Sequence, residues 1–136
     1  MTTELLCLLL IAVFAALMWV PFVIGVSGLP EDMQESADNF TRPVDLRRLP
    51  EWIHRAHRAQ SNLTEQAVPF GMAVIVAHLI NVSNAWTVGA AVLFVATRLV
   101  HAFGMISGLA LFPVRPIIFS IGVICTLVIA GACFLA

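Results

Sequence analysis

The chain carries very little charge and no lysine at all. Asp, Glu and Arg together make up only 11% of its 136 residues, against about a quarter in soluble domains. With 60% hydrophobic residues and a mean hydropathy of +0.97, this composition excludes a water-soluble globular domain and implies an integral membrane protein. The net charge of −1 lacks the basic excess that phosphate binding requires, so no nucleic-acid partner is expected. All seven basic residues are Arg, whose rigid fork of donors suits carboxylates better than the point charge of Lys does. That bias fits side chains recruited for pairing; a GC-rich coding sequence would produce it equally well, and both explanations stand. Cys7, Cys125 and Cys133 all fall in apolar runs, where a thiol behaves as a small hydrophobe, so neither a disulfide nor a metal site is expected of them. His54, His57 and His101 likewise have no Cys or carboxylate at a recognisable ligand spacing.

What is present is a set of four long apolar runs. A helix needs roughly 20 apolar residues to cross about 30 Å of hydrocarbon. Runs near Leu5–Val26, Ala67–Val82, Trp86–Ile106 and Val114–Leu135 approach or meet that length, which predicts an all-α bundle of four transmembrane helices in a single domain, 1–136. The first run lacks a basic leader and a small-residue cleavage pattern, so it is expected to be retained as a helix. The second helix is expected to begin after Pro50 and to run over 51–82, far longer than the bilayer needs, with its first turns projecting. Asn81-Val82-Ser83-Asn84 supplies the tight turn into the third helix, and Gly104, Gly108 and Pro113 end that helix soon after Met105. Gly104-x-x-x-Gly108 either packs helices closely or loosens a helix end. His78, alone in the middle of the second run, is expected to hydrogen-bond within the bundle.

Four crossings place every Arg on or near one side: Arg42, Arg47, Arg48, Arg55, Arg58, Arg98 and Arg115. Met1 and the Asn81–Asn84 turn share the other side, which has none. Positive loops stay in the cytoplasm, so both termini are expected outside and the Arg-rich side inside, at the inner membrane if the source is bacterial. The connector after the first helix alternates Glu31, Asp32, Glu35, Asp38 and Asp45 with Arg42, Arg47 and Arg48 among three prolines, and reads as a solvated linker. The glycosylation patterns at Asn39 and Asn62 fall on the cytoplasmic side of this topology and are set aside.

Two polar stripes interrupt the apolar pattern. Arg58, Asn62 and Glu65, at i, i+4 and i+7, share a helical face at the foot of the second run. Pro69 cannot donate to the carbonyl of Glu65, which leaves that acceptor free at the same level, either to serve the stripe or only to shape helix packing. Arg98, His101 and Met105 form a second stripe on the third helix, and Arg115 opens the fourth. Polar groups in a membrane are expensive unless buried and paired, so together these predict a shared polar pocket. Several guanidinium groups favour carboxylates, Glu65 favours an ammonium or orients an Arg, and Asn62 offers a donor and an acceptor. A small zwitterionic, peptide-like guest with more than one carboxylate fits, and an apolar second substrate can arrive from the lipid side.

The run Arg58-Ala59-Gln60-Ser61-Asn62-Leu63-Thr64-Glu65, followed by Pro69-Phe70, resembles the signature of the MAPEG family, membrane-associated proteins in eicosanoid and glutathione metabolism. Arg98-x-x-His101 with Arg115 beyond is similar to the family's helix 3 to helix 4 region. The resemblance implies a homotrimer of four-helix subunits that binds glutathione as co-substrate between neighbours, near the cytoplasmic face. It implies that Arg58, Asn62 and Glu65 hold glutathione, with Gln60 assisting and Arg98 and His101 completing the site. Arg115 then corresponds to the arginine that stabilises the thiolate, and Arg42 to another family arginine. One departure stands out: the chain has no tyrosine, and Gln66 and Met105 occupy positions where relatives commonly carry that residue, so hydroxyl contacts to glutathione are lost. The function implied is a membrane-bound glutathione transferase or peroxidase acting on lipophilic electrophiles. The alternative is a non-catalytic protein of the same fold whose polar stripes only lock subunits together; a transporter would need ionisable groups spread through the membrane depth, where His78 is nearly alone.

Overall fold

A computed structural model describes residues 1–30, 46–109 and 113–136; the expectations placed on Glu31 to Asp45, Asn39 and Arg42 included, lie outside the described residues. Five α-helices and one 3₁₀ turn are described. They are α1 (Thr3–Leu17), α2 (Val20–Ser27), the turn Leu46–Arg48, α3 (Glu51–Leu79), α4 (Ala85–Ser107) and α5 (Val114–Phe134). Three segments are long and apolar enough to cross a bilayer: Thr3–Ser27, Ala85–Ser107 and Val114–Phe134. The chain is an integral membrane protein with an all-helical bundle.

The first crossing is not the single helix expected. Pro21 has no N–H to give the carbonyl of Leu17, and its ring crowds that carbonyl, so the chain closes α1 at Met18 and restarts as α2 with Pro21 in its first turn. The second helix differs from expectation in another way. At 29 residues α3 is about 43 Å long, but its mainly apolar part is only Ala67–Leu79, about 20 Å, so it does not qualify as a crossing by length and composition. Its buried positions, Ile53, Ala56, Ala59, Leu63, Gln66, Phe70, Val74 and Ala77, recur every three or four residues and form one continuous inward face. Pro69 lies on the opposite, exposed face, and α3 runs through it unbroken.

The α3–α4 hairpin is built by specific turn chemistry. Asn81 takes a left-handed conformation at φ 60°, which Asn tolerates better than most residues. The N–H of Val82 bonds the carbonyl of Ala77 at 2.8 Å and that of Asn81 bonds His78 at 3.2 Å, the paired bonds of a Schellman ending. Asn84 then caps α4: its Oδ1 accepts from Trp86 and Thr87 N–H groups, while Thr87 Oγ1 accepts from the Asn84 N–H at 2.9 Å. His78, in the last turn of α3, is exposed and not inside the bundle as expected.

Within the bundle α3 touches every other helix, and α4 packs against α1, α3 and α5, so the α3–α4 pair is the centre and α1 and α5 flank it. Phe70 and Phe94 stack in parallel across the pair at 3.9 Å. Cys7, Ile11, Val74, Ala91, Cys125 and Ile129 fill the adjoining core. Both flanking helices bury only narrow stripes, Glu4, Cys7 and Ile11 on α1 and Gly122, Cys125 and Ile129 on α5, and present the rest outward as a surface suited to lipid. At one end Glu4 Oε1 accepts from Thr87 Oγ1 at 2.7 Å and Ser83 Oγ at 2.9 Å, pinning α1 to the hairpin. All the described Arg residues lie toward the opposite end, in the 3₁₀ turn before α3, at the start of α3, in the later part of α4 and at the start of α5.

Thr87→Val removes a buried donor to a carboxylate and half of the α4 cap together. It is expected to lower stability by about 1.5–3 kcal/mol, against less than about 0.5 kcal/mol for Thr97→Val, whose half-buried hydroxyl only bonds back to its own helix. Thermal unfolding in detergent, with the two variants side by side, measures the difference.

Candidate functional site

Arg98 is the largest fully buried side chain among the described residues. It reaches its place because the inward stripe of α4, Phe94, Arg98, His101 and Met105, continues the Phe stack toward the Arg-rich end. Nη2 of Arg98 donates to the carbonyl of Ile118 on α5 at 2.7 Å, and Nη1 to Oδ1 of Asn62 on α3 at 3.4 Å. The guanidinium lies over the Phe94 ring, 5.6 Å from its centroid. Among the described residues no carboxylate is in ion-pair reach; the ion pair seen nearby, Arg55 to Glu51 at 3.3 Å, is exposed and on the helix surface.

Gln66 extends this node. Its Nε2 donates to the carbonyl of Phe119 at 3.2 Å, one residue on from the carbonyl that Arg98 holds. Two side chains from the central pair therefore grip consecutive carbonyls on the second turn of α5, the helix whose first turn carries Arg115. Gly122 makes the grip possible: a Cβ there would collide with Gln66 Oε1 and lie 2.8 Å from Arg98 Nη2. Three polar atoms of the node are buried without partners, Gln66 Oε1, Arg98 Nε and His101 Nε2. Such atoms cost about 1–3 kcal/mol each when left unsatisfied, so this is where water or a polar guest gains most.

The expected site residues divide into three groups. Arg98, His101 and Asn62 come together: Arg98 bonds Asn62, and both Arg98 and Arg115 act electrostatically on His101, which is buried. Arg115 is partly buried and close enough to Arg58 for their charges to repel. Arg58 and Glu65 are exposed on the outer side of α3, and Gln60 is half-buried with its carbonyl accepting from Thr64. Asn62 turns toward α4 while Arg58 and Glu65 turn away from it, so the stripe expected to act as one surface spans the edge between the bundle interior and the outside. Beside this end, a groove of about 580 Å³ between α4 and α5 is lined by Leu99, Val100, Phe103, Ile118 and their neighbours, almost wholly apolar.

Gln66, Gly122 and the Ile118 and Phe119 carbonyls were not expected as site elements. A signal for Gln66 exists: it falls in register with Leu63, Phe70 and Val74, and a polar residue on a core face is an inward-pointing polar residue. The carbonyls left none, because every helix carries them. Gly122→Ala is expected to force Arg98 and Gln66 off α5 and to cost about 1–3 kcal/mol, whereas Gly131→Ala, with nothing within 4 Å of its added methyl, leaves stability unchanged or raises it. Comparing the unfolding temperatures of the two alanine variants tests the assignment.

The sequence profile of the MAPEG family matches residues 5–135. No curated protein and no solved structure matches the chain. Because the profile runs across all the described helices and both motif regions, this integral membrane protein belongs to the MAPEG family.

Proposed function

We propose that this protein is a membrane-bound glutathione-dependent transferase or peroxidase acting on lipophilic electrophiles, as a homotrimer whose subunits each cross the bilayer four times. The observation that carries the reading is a surplus of donors at one end of the bundle. Arg98 Nε is buried without an acceptor, Arg58 and Arg115 stand close by, and among the described residues no carboxylate pairs with any of the three. A guest bearing carboxylates and amide carbonyls supplies what is missing. Glutathione is such a molecule, and when bound it contributes the thiol that does the chemistry.

The exposed Arg58 and Glu65 support the oligomer. Glu65 lies two positions before Ala67, where the apolar half of α3 begins, a level at which a carboxylate facing lipid is costly. A second copy packed on that face covers it, lets α3 cross as the fourth helix, and places Arg58 and Glu65 beside a neighbour's Arg115. In this arrangement Arg58, Asn62 and Glu65 hold the peptide, Gln60 assists, and Arg98 and His101 line the inner wall. Both termini then lie outside and the Arg-rich end lies in the cytoplasm. The lipophilic partner enters from the bilayer, where the apolar α4–α5 groove adjoins the Arg98 anchor at Ile118.

Arg115 then stabilises the thiolate. A thiol of ordinary pKa about 8.5 needs about 2 kcal/mol of differential stabilisation to be half ionised at pH 7. One guanidinium about 4 Å away in an effective dielectric near 20 offers about 4 kcal/mol before desolvation, enough without tyrosine hydroxyls. A non-catalytic reading finds its own support in the way Arg98 is engaged by Ile118, Asn62 and Phe94, a purely structural use of a guanidinium.

Two measurements on detergent-purified protein separate the readings. Glutathione raises the unfolding temperature and shows thiolate absorbance near neutral pH; Arg115→Ala keeps the thermal shift and loses the absorbance, and Arg58→Ala weakens binding by about tenfold or more. Saturating glutathione without a thermal shift would leave the structural role alone standing.

A further inference from the structure

The end of the bundle remote from the arginines holds a buried carboxylate that neither the glutathione reading nor the fold fully uses. Glu4 is 3% exposed. Its Oε1 takes both hydrogen bonds from the hairpin, from Ser83 and Thr87, while Oε2 is buried with no partner. Hydroxyl donors at one oxygen do not neutralise a carboxylate, and the other oxygen wants a donor, best a cationic one. The chain has no lysine, and its described arginines sit at the opposite end. Among the described residues no cation pairs with Glu4.

Glu4 also lines a cleft of about 160 Å³, together with Thr2, His78, Asn81 and Ser83 and the apolar Val74, Ala77 and Val82. Asn81, Val82 and Ser83 are shared with a second, larger groove of about 560 Å³ that runs between the hairpin and the carboxyl end of α5, past Val128, Gly131, Ala132 and Leu135. Trp86, the second residue of α4, stands 78% exposed on that groove, as an indole does at the level of lipid headgroups. A small cleft with an unanswered carboxylate therefore adjoins a larger, mainly apolar groove at the hairpin end of the bundle.

We infer that this is a lipid site, in which the primary ammonium of an aminophospholipid such as phosphatidylethanolamine donates to Glu4 while an acyl chain lies along the α5 groove. The chemistry sets the selectivity. A primary ammonium carries three N–H donors and can satisfy Oε2, whereas the trimethylammonium of phosphatidylcholine has the same charge and no donor. The contiguous apolar groove favours a lipid over a water-soluble amine. The site is separate from the arginine end and does not depend on glutathione being the thiol.

Native mass spectrometry and thermal unfolding of the purified full-length protein, titrated with phosphatidylethanolamine, its N-monomethyl and N,N-dimethyl derivatives, phosphatidylcholine and free ethanolamine, test this. Affinity is expected to fall chiefly at the last methyl, which removes the remaining N–H, to a total of about tenfold from phosphatidylethanolamine to phosphatidylcholine, the order of one charge-assisted hydrogen bond. Glu4→Gln, which keeps an oxygen for Ser83 and Thr87, is expected to bind both lipids alike. Equal binding of the two lipids by the wild-type protein overturns the proposal whether or not the variant folds, and so does a Glu4→Gln protein that keeps the preference. Stabilisation by free ethanolamine as strong as by the lipid would assign the cleft to a soluble amine and overturn the lipid.

Discussion

A guanidinium buried in a membrane bundle, with no carboxylate partner among the described residues, is the constraint around which the described structure is arranged. Desolvating Arg98 is costly, and the structure offsets the cost with a helix carbonyl from α5, an amide oxygen from α3 and the face of Phe94 from its own helix. Each partner belongs to a different element, so the charge that would be a liability in lipid becomes the point where three helices are registered. Gln66 repeats the grip one carbonyl along, and Gly122 is small because both side chains must pass it. Arg115 inherits its position from that clamp, being one turn before Ile118.

The two ends of the bundle solve opposite electrostatic problems. One gathers positive groups around Asn62 and His101 and leaves donors over, which fits the proposed anionic guest. The other buries Glu4 between hydroxyls at the cap of α4 and leaves an acceptor over. Between them lies an apolar core whose Phe70–Phe94 stack separates the clamp from the hairpin. Helix-end chemistry holds each of these regions in place: the Schellman ending at Asn81 and the capping box at Asn84 orient α3 and α4 so that their inward stripes face each other.

Much of this was legible in the residues. The starts and stops of α3, α4 and α5 follow Pro50, Asn84, Gly108 and Pro113 to within a few residues, because those residues act locally through caps, a missing N–H or a positive φ. The break in the first crossing was missed although Pro21 announces it, since hydropathy alone scores Thr3–Ser27 as one run. The Arg58, Asn62 and Glu65 spacing identified a shared face of the helix but not its orientation; which edge of that face turns inward depends on where α4 and α5 pack, and spacing along one helix carries no information about its neighbours. Gln66 was noted only as the residue standing where tyrosine is common, and its bond to Phe119 depends on a main-chain atom 53 positions away. Glu4 stands just ahead of the first apolar run and carries no local signal of its role, because its partners, Ser83 and Thr87, lie in a distant turn.

The central claim is that Arg98 fixes the start of α5 and hence the position of Arg115. Hydrogen–deuterium exchange of the Arg98→Leu variant, in detergent and without ligand, tests it most directly. Exchange is predicted to rise by roughly tenfold or more in the first turns of α5, about Ile117 to Val123, while Cys125 to Phe134 and the α3–α4 hairpin keep their protection. An unchanged exchange pattern at the start of α5 in a folded Arg98→Leu protein would contradict the account.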